Sequence, residues 1–514
     1  MKSAVRGAMI TFRADPFIVP DEESLTHLSD ALIVIENGKI VAVGDAAELL
    51  PSLPPGTDIT HYRDALIVPG FIDCHAHYAQ TPMIAAFGEQ LLDWLNLYTF
   101  NTEQAFGDPA VASEVAAIFL DEQLRHGVTT SAVFGTVHPE SVEALFDQAR
   151  RRNVRMLAGK VCMDRNAPAS LLDSAQRAYD ESEALIGRWH GVGRLEYAIT
   201  PRFAPTSSPQ QLEALGALAA RYPDMPIQTH LAENRDEMAW VARLFPDARD
   251  YTDVYARHGL VRPRAIFGHG IHLTEPELDR LAENGASLAH CPTSNFFLGS
   301  GCFDVRRTRQ RSLPVLTGLA TDVGAGTSFS MLTTMNEAYK AAQFNGHALS
   351  AVQAFYLATR GGARALGVED KVGSIAAGMD ADLAVLDMAA TPLIRYRMTR
   401  VRTIGEAMFV LMMLGDDRAV RDTWVAGCRW MPSGGLAGAF GDQHRAGAAQ
   451  SILQGQAFGI DQCRQKRQQA PGERCQGHQR PMAGALPCAK VGEHGNDDEQ
   501  YQRDDVADGR FLPG

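Results

Sequence analysis

Apolar and polar residues alternate in short runs along the first 65 or so residues. The segment Asp30 to Gly44 holds two β-branched runs joined by Asn37-Gly38, a strong hairpin signal. A second β-rich piece lies far downstream, at Gly373-Ser374-Ile375, Ala381 to Asp387 and Thr423 to Gly427. Between these flanks the pattern changes. Continuous apolar runs at 67–72, 129–134, 155–161, 195–200, 226–230, 265–269, 286–290 and 316–321 are separated by stretches with helical period, such as 112–126, 209–222 and 274–284. Repeated strand-then-helix units predict an α/β chain with a parallel sheet. Eight of them over about 300 residues fit a (β/α)8 TIM-like barrel, whose functional site lies at the C-terminal ends of the strands. A doubly wound sheet is the competitor, and no G-x-G-x-x-G follows an early strand to support it.

The expected organisation is a small β-sandwich domain assembled from both flanks (1–66 and 371–432) around a central barrel (67–370). The tail 433–514 is rich in Gln, Gly, Arg and Asp and lacks any sustained period, so disorder or an aberrant reading of the gene is expected there. No chemistry is assigned to Cys463, Cys475 or Cys488 within it.

Composition then narrows the function. The 514 residues are 45% hydrophobic and carry a net charge of −13, which opposes tight binding to nucleic acid or to an anionic membrane surface. No run approaches the roughly 20 apolar residues of a spanning helix, and the eight cysteines form no C-x-x-C pair. The expectation is a cytoplasmic protein with reduced thiols and a small-molecule substrate.

The polar residues at the strand ends supply the chemistry. His75 and His77, at i and i+2, share one face of a strand and can present both imidazoles to one ion. His230 ends the fifth strand, His269 the sixth, and Asp322 the eighth. In a barrel these ends converge, and several imidazoles with one carboxylate suit Zn²⁺ or Fe²⁺ with a position left for water. Glu233, three residues after His230, can stand beside the ion and shuttle protons; its bland alternative is a solvated glutamate at a helix start. His272 reads as a loop residue, and His290 as one that packs or orients a neighbouring loop.

These residues, in this order, resemble the amidohydrolase superfamily. Pro69 to His77 looks like its first-strand signature, and Gly373 to Leu383 like its return into the small β-domain. No lysine stands near the end of the fourth strand, Tyr197 to Phe203, where binuclear members carry a carbamylated one, so the likeness is to the mononuclear deaminase branch. Within it, Gln80 to Ile84, Phe87 to Phe100, Gly159 to Asn166 and Thr200 to Pro205 are similar to the guanine deaminase family.

The resemblance implies one Zn²⁺ per subunit held by His75, His77, His230 and Asp322, with Fe²⁺ as the other metal considered. It implies Glu233, His269 and Asp322 as catalytic groups. It implies Gln80, Arg202 and Phe203 as substrate contacts, together with His230, Glu233 and Asp322, guanine as the substrate and a homodimer. A hydrolase of another amino- or halo-substituted ring is the alternative enzyme; a non-enzymatic assembly protein would be marked by lost ligands. For Arg202 the competing role is a salt-bridge partner at the barrel rim. Because the tail offers neither core pattern nor strand-end chemistry, a chain ending at Pro432 is expected to release ammonia from guanine much as the full chain does. A folded truncation without that activity would reject the assignment.

Overall fold

The computed structural model describes residues 2–88 and 90–431. The expectations for 433–514 lie outside them.

The two flanks form one seven-stranded sheet in the order Cys428–Arg429, Val420–Val425, Leu383–Asp387, Asp58–Pro69, Lys2–Phe12, Leu25–Glu36, Lys39–Asp45. The hairpin at Asn37-Gly38 forms as its sequence dictates, with φ of 52° and 79° at the two turn residues, the left-handed pair that a two-residue loop between twisted strands requires. Alternation along Asp58–Pro69 sends Leu66 and Val68 into the large central core and Ala65 and Ile67 into a second apolar cluster with Val5, Ile33 and Val385. Gly373-Ser374-Ile375, expected as strand, is irregular chain instead. There Gly373 has φ of +88°, a left-handed conformation that extended pairing does not use.

The apolar run expected over 67–72 as the first central strand is divided between two sheets. Residues 67–69, placed by sequence in the central domain, finish the flanking strand Asp58–Pro69, and the central sheet begins with Phe71–His77. Gly70 is the corner. A Cβ there would lie 2.3 Å from Thr129 Oγ1, so only glycine lets the chain pass from one sheet to the other.

The central region holds two four-stranded sheets, each paired in parallel throughout. One runs Phe71–His77, Val128–Phe134, Arg155–Gly159, Leu195–Tyr197; the other runs Ile227–Leu231, Ala265–His269, Ser287–His290, Leu316–Leu319. The strands are buried on both faces, as parallel strands covered by helices are. Helices start where the sequence supplies caps: Asp108 accepts from Ala110 N ahead of Pro109–Arg125, and Thr274 with Glu277 forms a capping box on Glu275–Glu283. No helix among the described residues is long and apolar enough to cross a membrane.

Ion pairs fasten the flanking sheet to the N-terminal ends of two central strands, the end away from the predicted site. Asp380 accepts from Arg155 Nη2 at 2.8 Å and pairs with Lys39 Nζ at 2.6 Å, while Arg194 pairs with Asp382. Asp380, Asp382 and Arg155 are all buried. Asp380→Ala would take from buried Arg155 its nearer carboxylate, leaving only Glu196 at 3.6 Å, and would remove the partner of Lys39. It is expected to lower unfolding stability by about 3–5 kcal/mol, the usual cost of breaking a buried pair on one side, measured by denaturant titration. An unchanged midpoint would show that this contact does not hold the two parts together.

Candidate metal and catalytic site

The C-terminal ends of the two parallel sheets bring the sequence-predicted residues into one cluster. His75 and His77 project from the same face of Phe71–His77, and their Nε2 atoms lie 3.2 Å apart. His230 Nε2 is 3.1 Å from His77 Nε2, and Asp322 Oδ1 lies 3.3 Å from His75 Nε2 and 3.4 Å from His77 Nε2. A tetrahedral divalent ion with bonds of about 2.0–2.1 Å separates its ligand atoms by about 3.3 Å. The four donors therefore have the spacing and the chemistry to hold such an ion.

Backbone contacts explain why they meet. Asp322 N donates to His75 O at 2.9 Å and His77 N to Val323 O at 2.6 Å, so the ligands from the first and last strands are locked together. Buried Asp73, pushed up to about 7 by desolvation, accepts from Thr321 N at 2.9 Å and from Thr321 Oγ1, tying the same two ends. Ala232, His269 and Asp322 all have left-handed φ, between 51° and 68°. This strain collects at the mouth of the site, as it does at functional centres.

Surrounding groups orient each ring. His230 Nδ1 donates to Arg202 O at 2.6 Å, leaving Nε2 to face the cluster. His75 packs on Gly268, where a Cβ would lie 2.8 Å from its Cε1. Burial, helped by neighbouring imidazoles, drives His77 and His230 well below the ordinary histidine range, so they are neutral donors. Burial alone would raise Asp322, but the hydrogen bond and charge of His75 and the charges of His269 and His77 hold it far below the carboxylate range.

His269 stands just outside the four. Its Nδ1 bonds Asn295 Oδ1 at 2.9 Å, and its Nε2 lies 3.4 Å from Glu233 Oε2 and 3.7 Å from Asp322 Oδ2. Burial disfavours its charge, and the carboxylates of Glu233 and Asp322 outweigh that, leaving it raised. Glu233 is no solvated helix-start residue: it is 3% exposed, receives Ser300 Oγ at 2.9 Å, and is pushed up to about 7 chiefly by burial. Its loop is fixed by Glu237, which accepts from Glu233 N and Asn234 N and caps the following helix.

A pocket opens from this cluster. His77, Gln80, Arg202, Phe203, His230, Glu233, His269 and Asp322 all line it, with Leu91, Trp94, Leu95 and Leu298 as apolar walls. It adjoins an outer cleft of ≈ 370 Å³ that shares Leu95 and Phe203. Arg202 is buried rather than at a rim. It lines the pocket and is also salt-bridged, with Nη1 2.7 Å from Glu103 Oε2.

Four neighbours escaped the sequence reading. Asn295 and Ser300 follow the seventh strand in a stretch with no helical or strand period to flag them, and Glu103 sits in a pattern that looks like an exposed helix. Cys291 brings Sγ within 4.8 Å of ligand atoms of His269 and Asp322, and burial lifts its thiol well above the ordinary range. His272 donates to Ser300 O in the following loop. His290 stacks on Phe303 and is held near pKa 3 by burial, apart from the four donors. The buried Lys160 is committed to Asp173 and Glu181 and lies outside the pocket lining.

Comparisons with known proteins give the family. The family model described as "Amidohydrolase family" matches residues 66–429. The chain is 49% identical to guanine deaminase of Escherichia coli (strain K12) over 428 residues, 82% of this chain and 96% of that protein. It is 30% identical to guanine deaminase of Homo sapiens over 442 residues, 82% and 96% of the two chains. Among solved structures, E. coli guanine deaminase superposes with a TM-score of 0.81 at 48% identity, covering 84% of this chain and 99% of that one. Guanine deaminase from C. acetobutylicum with bound guanine in the active site gives 0.75 at 30% identity, covering 84% and 100%. An adenosine deaminase from Xanthomonas campestris with bound zinc gives 0.72 at 26% identity, covering 83% and 92%. With a donor cluster, a pocket and a family model that spans the central region, this chain belongs to the amidohydrolase family.

Proposed function

We propose that the protein hydrolyses guanine to xanthine and ammonia. One observation carries the reading: His77, His230 and Asp322, with His75 against them, meet the groups suited to proton transfer and purine recognition in a single buried pocket. The likeness to guanine deaminases supports it. We read the two parallel sheets as halves of an eight-stranded barrel. An Ile199–Ile227 bridge joins them on one side, and the His75–Asp322 and His77–Val323 hydrogen bonds join them on the other. The flanking sheet, apolar on both faces, is read as the small sandwich, with domain limits near Gly70 and residue 371. A cytoplasmic location and a homodimer, the latter implied by the family likeness, belong to the same proposal.

His75, His77, His230 and Asp322 would hold one Zn²⁺ per subunit. Such an ion, when bound, makes hydroxide available from water at neutral pH. The protein's own groups do the rest. Asp322, kept ionised, accepts the proton of the attacking water, and His269, fixed by Asn295, directs the oxygen at the purine C2. Glu233, poised near neutrality, protonates N3 so that C2 becomes electrophilic. The new C2–O bond forms, and Glu233, now a carboxylate, takes the proton of the C2 hydroxyl and delivers it to the amino group. The C2–N bond breaks with ammonia leaving and C2=O remaining, and the proton held by Asp322 restores Glu233. Arg202 donates to O6, and Phe203 lies along the flat base. Leu91, Trp94 and Leu95 exclude bulk water, which strengthens these interactions.

Glu233→Gln keeps size and metal ligands while removing the proton carrier. It is expected to lose roughly 10²–10⁴-fold in turnover with unchanged metal content, compared by ammonia release and elemental analysis; near-normal turnover would remove Glu233 from the chemistry.

Selectivity is tested with 2,6-diaminopurine, which keeps the reacting 2-amino group and sets a 6-amino group against Arg202 donor to donor. The unaltered protein is expected to prefer guanine by roughly 10⁴-fold or more in kcat/KM, and Arg202→Ala to depress guanine turnover severely. Equal handling of the two bases would contradict the assigned substrate.

A further inference from the structure

Glu103 is 0% exposed, does not line the pocket, and touches both side chains assigned to recognise the base. Its Oε1 accepts from Gln80 Nε2 at 3.2 Å and its Oε2 from Arg202 Nη1 at 2.7 Å. Gln80 Oε1 in turn accepts from Gly324 N at 3.3 Å. Gln80 and Arg202 are each 2% exposed, and the Arg202 guanidinium also lies 5.5 Å from the centre of the Phe100 ring. This joined set depends on Glu103 being a carboxylate, which only accepts hydrogen bonds. Both partners must donate to it, and that fixes the Gln80 amide one way round. Its remaining N–H and those of Arg202 are left for the base. The carboxylate also cancels the buried guanidinium charge, which would otherwise stand alone in an apolar wall.

We propose that Glu103 is a positioning residue that sets the hydrogen-bonding polarity of the base-recognition wall and neutralises its guanidinium, so that this wall takes an uncharged 6-oxopurine and releases the more acidic product. This rests on the functional reading above. In Glu103→Gln, Arg202 can only donate, so the new amide must turn its oxygen to Arg202 and its NH₂ to Gln80. Gln80 then has to flip and face Gly324 N with a second donor. The donor pattern toward the base is inverted, and Arg202 becomes an uncompensated cation that attracts ionised xanthine.

The test compares guanine with 2-aminopurine, which keeps the reacting amino group and lacks O6, and follows inhibition by xanthine as pH is raised from neutral. Glu103→Gln is expected to bind the normal amount of metal and lose roughly 10²-fold in kcat/KM for guanine. Its guanine to 2-aminopurine ratio should fall at least about tenfold, and xanthine inhibition should tighten as xanthine ionises. Glu103→Asp keeps the charge and shortens the reach. It should show the original xanthine behaviour with a reduced guanine preference, and it decides the matter if the Gln variant does not fold. An unaltered ratio with unaltered xanthine inhibition in Glu103→Gln, or an unaltered ratio in Glu103→Asp, would overturn the role of Glu103. If the unaltered protein releases no ammonia from guanine, the functional reading itself fails.

Discussion

Four electron-donating atoms, three imidazole nitrogens and a carboxylate oxygen, crowd within about 3.4 Å of their neighbours in a largely buried pocket. Left to themselves, neutral nitrogens facing nitrogens are an unpaired and repulsive arrangement, costly away from water. A cation at their centre turns that cost into binding. Much of the surrounding fold serves to hold the crowding in place. Gly70 turns the chain into the central sheet, Gly268 leaves room for His75, and Asp73 with the Asp322 and Val323 backbone bonds clamps the first strand to the last. Left-handed backbone at His269 and Asp322 stands beside this clamp at the mouth of the site.

The donor cluster and the pocket wall are linked through Arg202. Its carbonyl fixes the tautomer of His230, its guanidinium faces the pocket, and Glu103 binds that guanidinium from behind. In the proposed reading, a ligand ring and the group that recognises the base are therefore set by one residue. On the other side Glu233 and His269 form a pair in which one carboxyl near neutrality faces one imidazole, held by Ser300 and Asn295. This arrangement suits protons that must move twice in one turnover.

What could be read in the sequence follows from periodicity. His75 and His77 announce themselves by the two-residue repeat of a strand, and His230, His269 and Asp322 by closing apolar runs, because parallel strands deliver their ends to one place. The start of the first central strand is marked only by Pro69-Gly70: by hydrophobicity alone Leu66 to Ile72 looks like one strand, and the turn signal inside it is where the chain changes sheet. Glu103 was hidden for a different reason. A glutamate within Phe100 to Gln104 has the look of a solvated helix face, and only the three-dimensional return of Arg202 from the fourth strand makes it a buried counter-charge. Asn295 and Ser300 likewise gain their roles from contacts made across the mouth rather than along the chain.

The central claim, that one ion sits among His75, His77, His230 and Asp322, is tested most directly by an anomalous difference map from crystals of active protein, recorded across the absorption edge of whichever metal they contain. A single peak is expected, within bonding distance of those four residues and with His269 further away. Two peaks, or one bound elsewhere, would contradict the account.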